Sequence, residues 1–458
     1  MTKYESLEAK MYALGGPVNM LRSSPIGPYA FPIPAEFTNW RDEQESWRQS
    51  AALMDQSVHM TDLYISGPDT IKLLSDLGVN SFAGYGRNQA KQLVVCNYDG
   101  YVIGDAVLFG LEDNSVSVVG RPPTCNWVEY HAKQGNYDVS LERDERVLDS
   151  NKPKLTYRYQ VQGPAAWKVL EKCNRAPIPD IKFFKMSEIG IAGHRVRALR
   201  HGFAGAPGLE LWGPVSEGPA VRAAIVEAGE EFGLRAIGAR AYGTVAMESG
   251  WLPSPLPAIY SGEKMKPYRE WLKPTAFEAT ASLGGSFDTQ NIEAYYLTPW
   301  DIDYGRLVKF DHDFIGRAAL ERLAGQPHRK KVTLVWEPAD VISAFSTMFQ
   351  EQRVKYLDMP GSQYTTHPYD AIHQDGELVG ISTYAVYSSN ARRWISLAIV
   401  NEAQAKPGTQ VSVLWGEKNG GTAKSTVERH VQLEIRAAVA PSPYSVEARE
   451  SYRPFGLS

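Results

Sequence analysis

Tyr242, Trp251 and the glycines and prolines around them make GARAYGTVAMESGWLPSPLPAIYSGE, from Gly238 to Glu263, the stretch of this 458-residue chain best suited to hold a ligand. Gly250 permits a turn that other residues resist, and Pro253, Pro255 and Pro257 fix φ at alternate positions. An extended, pre-ordered loop that cannot join a central sheet is therefore expected after Trp251. A rigid loop presents side chains; the plain alternative is a surface connector whose Trp251 only covers apolar surface. His59, in MDQSVHMTDLYISG (54–67), falls between an expected helix end and a strand start, where an imidazole can face a shared cleft or serve as a satisfied structural group. Arg121 follows VSVVG and precedes Pro122-Pro123, so it is expected at a strand end with a stiff turn behind it. A planar guanidinium fixed there can grip a carboxylate through two parallel hydrogen bonds, with a solvated surface arginine as the alternative.

Other chemistries find no support. The nine histidines never fall at HExxH or HxH spacing, and there is no GxSxG elbow, GxxxxGK loop or GxGxxG turn. No metal site is expected. Cys96, Cys125 and Cys173 are odd in number and widely spaced, which argues against disulfides and thiolate metal binding and fits a reducing compartment. A net charge of −4 offers no field for nucleic acid or an anionic membrane, so small ligands are the expected partners. No window reaches the roughly 20 apolar residues of a membrane span, and the N-terminus lacks a signal-like apolar run, so a soluble cytoplasmic protein is expected. Nothing in the sequence specifies an oligomeric state.

The elements that must position these residues follow from periodicity. Residues 24–39, SPIGPYAFPIPAEFTN, carry four prolines and read as an extended arm, a strap whose Tyr29 or Phe31 can reach a pocket. Trp40, Trp47 and Ala51 mark the inward face of one helix. LYISGPDTIKLLSDLG (63–78) and YRYQVQGPAAWKVLEKC (157–173) each read as strand, Gly-Pro turn and helix. Proline is placed at the helix start in both, and Ile71, Leu74, Leu77 and Val169, Leu170, Cys173 face inward. A third such unit begins at LELWGP (209–214) and continues into a helix through Ala220, Ile225 and Ala228, stopped by Gly233. VVCNYDGYVIGDAVLFG is a hairpin turning at Asp99-Gly100. Asp313 and Arg317 read as helix capping and dipole compensation. Short alternating runs from Lys331 onward indicate a β-sandwich or barrel docked on the rest. The fold class is therefore α+β with antiparallel sheets.

Gly238 to Gly250 resembles, at matching spacing, the GxxARDxxRLExG pattern of the folate-dependent aminomethyltransferases, the T-protein family of glycine cleavage. MDQSVHMTDLYISG resembles that family's D.S.HM….V.G signature, and DFIGRAAL a third of its patterns. RAY…ESGW.PSPLPA is most similar to one branch, the tetrahydrofolate-dependent O-demethylases of vanillate, syringate and 3-O-methylgallate. Tyr242 stands where amine-handling members carry arginine, and Gly104-Asp105 where they carry paired aspartates, so the acid facing the aminomethyl nitrogen is expected to be missing. The missing GxGxxG excludes the flavin-linked sarcosine and dimethylglycine oxidases.

The resemblance implies a T-protein-like arrangement of three domains: an arm and first α+β lobe (1–150), a second α+β lobe with the folate and substrate loop (151–325), and a C-terminal β-rich domain (326–458). It implies an enzyme that transfers the methyl group of a methoxybenzoate to tetrahydrofolate, giving a phenol and 5-methyltetrahydrofolate. The alternatives are a glycine-cleavage aminomethyltransferase and a non-catalytic folate-binding protein. Tyr242, near pKa 10, is the expected proton donor to the leaving phenolate, with His59, acting through a water, as the other candidate. Arg121, His59, Tyr29, Phe31 and Trp251 are the expected substrate contacts. Glu210, in HGFAGAPGLE, together with Gln162 and Trp251, is expected to meet the pterin ring. Which methoxybenzoate fits best is a question of pocket volume.

Overall fold

The computed structural model describes residues 3–253, 255–421, 424 and 427–450. Ser254, inside the proline-rich loop, lies outside them. Helices α1 (Leu7–Ala13) and α2 (Pro17–Ser23) open the chain, and residues 24–39 run without regular structure, as their prolines require. Helix α3 (Trp40–Gln49) buries Trp40 and Trp47 on one face and is capped by Asn39, whose side chain accepts from the Asp42 N–H. Ala51 does not continue that face. It begins strand β1 (Ala51–Asp55), whose apolar run is buried on both sides of a sheet, so continuous burial rather than helical periodicity explains it. His59 consequently lies between two strands, β1 and β2 (Thr61–Ser66), and not after a helix.

Helix α4 (Thr70–Leu77) follows β2 and buries Leu73, Leu74 and Leu77, with Ile71 only half-buried. Its Gly-Pro pair forms the turn before the helix, two residues outside it, where the proline's missing N–H is equally harmless. Strands β3 (Ala90–Cys96), β4 (Val102–Glu112) and β5 (Ser115–Gly120) precede helix α5 (Pro122–Gln134) and strand β6 (Ser140–Asp144). The first sheet is wholly antiparallel, in the order β3-β4-β5-β2-β6. Pro122 and Pro123 are not a turn but the first residues of α5, so Arg121 occupies both a strand end and a helix N-cap.

The second sheet uses β7 (Thr156–Gln162), β8 (Met186–Ile191), β9 (His194–Leu199), β10 (Gly208–Pro214) and β11 (Leu234–Ile237), with helix α6 (Ala166–Asn174) after β7 and α7 (Gly218–Gly229) after β10. Its order, β11-β1-β7-β10-β9-β8, takes β1 from the segment expected in the first lobe. The two sheets are therefore stitched by the chain between β1 and β2, which carries His59. The β1–β11 pair is parallel, an exception to the antiparallel expectation, and the other pairs of this sheet are antiparallel. Helix α6 buries Val169 and Leu170 and leaves Cys173 partly exposed; α7 buries Val221, Ile225 and Ala228, while Ala220 faces solvent. Two short helices follow, α8 (Ala239–Tyr242) and α9 (Val245–Ser249).

Beyond them, β12 (Leu283–Gly284) pairs in parallel with β14 (His367–Pro368). Strands β13 (Lys330–Trp336), β15 (Asp370–Gln374), β16 (Glu377–Ser388), β17 (Arg393–Val400), β18 (Gln410–Trp415) and β19 (Leu433–Ala440) close into an antiparallel barrel in the order β13-β17-β16-β15-β18-β19, which settles the choice between sandwich and barrel. Arg317 opens a short helix capped by Gly316, where a cation opposes the dipole, and pairs with Asp313 at 2.9 Å and Glu321 at 2.8 Å. Three parts of the chain meet at Glu248. Its buried carboxylate accepts from Trp47 Nε1 at 2.9 Å, from Ser388 Oγ at 2.6 Å and from Asn390 Nδ2 at 3.1 Å, tying α9 to α3 and to the end of β16.

Candidate active site

A cavity of about 240 Å³ opens where the first sheet, the arm, the 201–205 loop, α8 and the barrel meet. His59, Tyr242 and Arg121 all line it. Tyr242, at the last turn of α8, is buried with its hydroxyl 3.2 Å from His59 Nε2 and 3.1 Å from Gln56 Nε2, which donates to it. Burial pushes the Tyr242 phenol above its ordinary value, so it is protonated at neutral pH. Burial also drives His59 down to about 3, helped by the charges of Arg121, Arg146, Lys154 and Arg158. A neutral imidazole beside a protonated phenol leaves the pair uncharged at neutral pH. Imidazolium chemistry at His59 is unsupported.

The arm reaches the same space. Phe31 meets the rings of His59 and Tyr242 edge-on at 5.2 and 4.9 Å, and the Tyr29 hydroxyl donates to the His59 carbonyl. Arg121 places its guanidinium over the Tyr29 ring at 4.2 Å, with Arg146 at 4.9 Å from the same ring. Arg121 Nη1 is buried and has no hydrogen-bond partner among the described residues. A buried, unpartnered guanidinium N–H on a cavity wall is a strong demand for an acceptor, which a ligand carboxylate meets. Tyr242 does not pack beneath Trp251: Phe203 lies between them, 5.5 Å from the tyrosine ring and 5.4 Å from the indole.

Glu210, on β10, lines the cavity with Oε1 engaged by Arg158 Nη1 at 2.8 Å, and Arg158 is held in turn by Asp62 at 3.0 Å. Gln162 is placed otherwise than expected. It is fully buried, is not among the cavity-lining residues, and uses Oε1 to accept from Ala204 N–H at 2.7 Å and Nε2 to donate to the His201 carbonyl at 3.4 Å. It shapes the loop that forms the wall and does not itself form the wall. Its sequence position on a strand beside the family's glycine-rich loop could not distinguish these two placements.

The first of the family's paired acids is glycine here, but the second, Asp105, lines the cavity. A Cβ at Gly104 would lie 2.4 Å from Thr124 Oγ1, so position 104 points at α5 and away from the cavity, while Asp105 lines it. The Asp105 Oδ2 accepts from Gln92 at 2.5 Å, from Tyr304 Oη at 2.8 Å and from Trp251 Nε1 at 3.2 Å. Burial raises its carboxyl, with Tyr304 and Trp251 opposing. Strand alternation carried part of the signal: Asp105, Val107 and Phe109 alternate along β4 and line the cavity, with Ala106 between them also reaching it. Gln56, three residues before His59 in the same motif, was also missed. No group of His, Cys, Asp and Glu suited to a metal occurs among the described residues.

A family profile described as the GCVT N-terminal domain matches residues 25–254. The chain belongs to the folate-dependent aminomethyltransferase family that this domain defines. Within that family it is 47% identical over 451 residues to the syringate O-demethylase of Sphingobium sp. (strain NBRC 103272 / SYK-6), covering 98% of each chain. It is 30% identical over 435 residues to the sesamin methylene transferase of Sinomonas sp. (strain No.22), covering 90% of each. The crystal structure of glycine cleavage system aminomethyltransferase T from Bartonella henselae superposes with a TM-score of 0.62 at 16% identity, over 93% of this chain and 95% of that one, and so shares the fold.

Proposed function

We propose that this chain is a tetrahydrofolate-dependent O-demethylase of methoxybenzoates such as syringate, vanillate or 3-O-methylgallate. The observation that carries the reading is a protonated Tyr242 hydroxyl, held between Gln56 and a neutral His59, in the cavity that Arg121 enters with an unpartnered N–H. The syringate O-demethylase of Sphingobium supports it through near full-length similarity. The far end of the cavity fits a fused, hydrogen-bonding ring: Glu210 and buried His201, whose Nδ1 has no partner among the described residues, stand beside the flat surfaces of Phe109, Phe203 and Trp251. Tetrahydrofolate supplies a nucleophilic N5 that takes the methyl group and releases its own proton.

The residues have three tasks. Arg121 binds the carboxylate and fixes the ring's register, with Tyr29 and Phe31 closing over it. The cavity holds methyl carbon and acceptor in line at about 3 to 3.5 Å, which supplies the orientation term. Tyr242 gives its proton to the ether oxygen as the methyl–oxygen bond breaks, so the product leaves as a phenol, and the proton displaced from the acceptor nitrogen restores Tyr242. The balance closes without an oxidant: an aryl methyl ether and an N–H become a phenol and an N-methyl group. Against an aminomethyltransferase, the case now rests on Tyr242 and Arg121, because Gly104 points away from the site. Purified protein should release phenol only with tetrahydrofolate, with 5-methyltetrahydrofolate formed mole for mole. Turnover supported by oxygen and NADH instead would sink the proposal.

A further inference from the structure

A ladder of buried charges alternating in sign runs from the first sheet across to the second and ends at the cavity. Lys154 Nζ lies 3.1 Å from Asp144 Oδ2 and 3.2 Å from Asp62 Oδ2, Arg158 Nη2 lies 3.0 Å from Asp62 Oδ1, and Arg158 Nη1 lies 2.8 Å from Glu210 Oε1. None of the five is more than 6% exposed. Taking charges out of water is costly, and buried ion pairs return little net stability over apolar residues of similar volume, so stability is a poor account of the ladder. Its last member points to another use: Glu210 lines the cavity, and the four charges behind it do not.

Arg158 is fixed on every side. Trp212 of β10 is opposite Arg158 of β7, and Glu210 is opposite Gln160, so Arg158, Glu210 and Trp212 share one face of the second sheet. The guanidinium lies 4.4 Å from the Phe109 ring and 5.6 Å from Trp212, two rings that meet edge-on at 4.9 Å. Its plane is therefore set by aromatic packing, while one arm of its fork is held by Asp62 and the other holds Glu210. Glu210 Oε2 receives no hydrogen bond among the described residues. We infer that Arg158 is a positioning residue for Glu210: it occupies Oε1, fixes the plane of the carboxylate, and leaves Oε2 for the 2-amino and N3–H donors of the folate ring. This rests on the reading of Glu210 as the group that meets that ring. Arg158 touches no ligand itself, and through Asp62 on β2 the first sheet takes part in folate selection.

The test compares tetrahydrofolate with its 2-desamino analogue, which lacks one of the two donors, on the parent, Arg158→Lys, Arg158→Met and Glu210→Gln, with syringate saturating. Arg158→Lys keeps a cation between the buried carboxylates, so the protein retains its fold, but a point charge cannot hold Asp62 and Glu210 in one plane. Its KM for tetrahydrofolate should rise about 10-fold, as loss of a hydrogen bond to a charged group does, while the KM for syringate stays within about twofold. The ratio of the analogue's KM to that of tetrahydrofolate should fall by about threefold or more, because a misplaced carboxylate no longer tells the two apart. That ratio is internal to each preparation, so partial loss of folded enzyme cancels. Arg158→Met should shift both quantities further in the same direction. Equal rises for tetrahydrofolate and the analogue in Arg158→Lys would make Arg158 merely structural, and no rise for either would also overturn the inference. An unchanged tetrahydrofolate KM in Glu210→Gln would instead remove Glu210 from folate recognition, which separates the two failures.

Discussion

Tyr242 hydrogen-bonds to two neutral partners, Gln56 and His59, and that neutrality is the useful property of the site at the residue scale. An ionised acid at this point would repel the growing phenolate, whereas a buried phenol carries its proton to the reaction. Tyr242→Phe keeps the ring against Phe31 and Phe203, so substrate affinity should stay within a few fold while single-turnover methyl transfer falls by about 10² to 10⁴. A rate within threefold of the parent would remove Tyr242 from the mechanism. Asp105 acts differently, because three donors converge on one of its oxygens. Asp105→Ala leaves Gln92, Tyr304 and Trp251 without that acceptor and should cost about 1 to 3 kcal/mol of stability. On the proposed reading Trp251 meets the folate, so the KM for tetrahydrofolate should rise more than that for the methoxybenzoate, and steady-state kinetics in both substrates checks this.

At the scale of elements, the Glu-Ser-Gly-Trp corner divides its labour. Glu248 is a buried anchor to α3 and the barrel, and Trp251 alone of the pair lines the cavity. Gly250 makes the division possible. Its φ is +68°, and a Cβ there would lie 2.6 Å from Ser442 Oγ and 2.8 Å from the backbone Cα of Pro443. Gly250→Ala should therefore cost more than the roughly 1 to 2 kcal/mol of the left-handed conformation alone. Gly193→Ala, at φ +82° with nothing within 4 Å of the new Cβ, should cost no more than that backbone term. Urea unfolding of the two variants compares them directly.

The whole molecule titrates through groups that folding hides. Burial holds both His59 and His367 down at about 3, so between that pH and about 6.5 the unfolded chain binds protons that the folded one refuses. Their contribution is complete above about pH 6.5 and is lost as pH falls, at on the order of 1.4 kcal/mol per pH unit for each. Asp370, raised by burial to about 6, has the opposite sign: its folded form holds a proton the unfolded chain has lost, which offsets one histidine between about pH 4 and 6. His367 Nε2 has no partner among the described residues and Nδ1 lies 2.9 Å from Thr366 Oγ1, so an apolar replacement gives up one hydrogen bond. In His367→Leu the slope of stability against pH between 4.5 and 6 should fall by on the order of 1.4 kcal/mol per unit, measured by urea unfolding at stepped pH. An unchanged slope would show that His367 titrates normally in the folded protein.

Local chemistry in the sequence was enough to determine the extended arm, the Asp99-Gly100 hairpin, the α6 and α7 units and the β-rich end, because proline, glycine and apolar periodicity act over a few residues. The family patterns likewise brought His59, Arg121, Tyr242, Trp251 and Glu210 forward, and all five line one cavity. What short-range patterns could not carry was decided by packing between distant segments. Ala51 joined a strand because burial on both faces erases the alternation that marks strands, and Gln162 went beneath the 201–204 loop because that loop's backbone needed partners. Position 104 was set by Thr124, and Asp105 was turned inward by the register of β4 against β3 and β5. Tyr384 reached the cavity through a bulge that nothing in ELVGISTYAVYS announces. Residue types determined which chemistry this chain can perform; only the tertiary structure, by closing two sheets and a barrel around one cavity, decided which of those residues share it, since burial and register depend on chain far away in sequence.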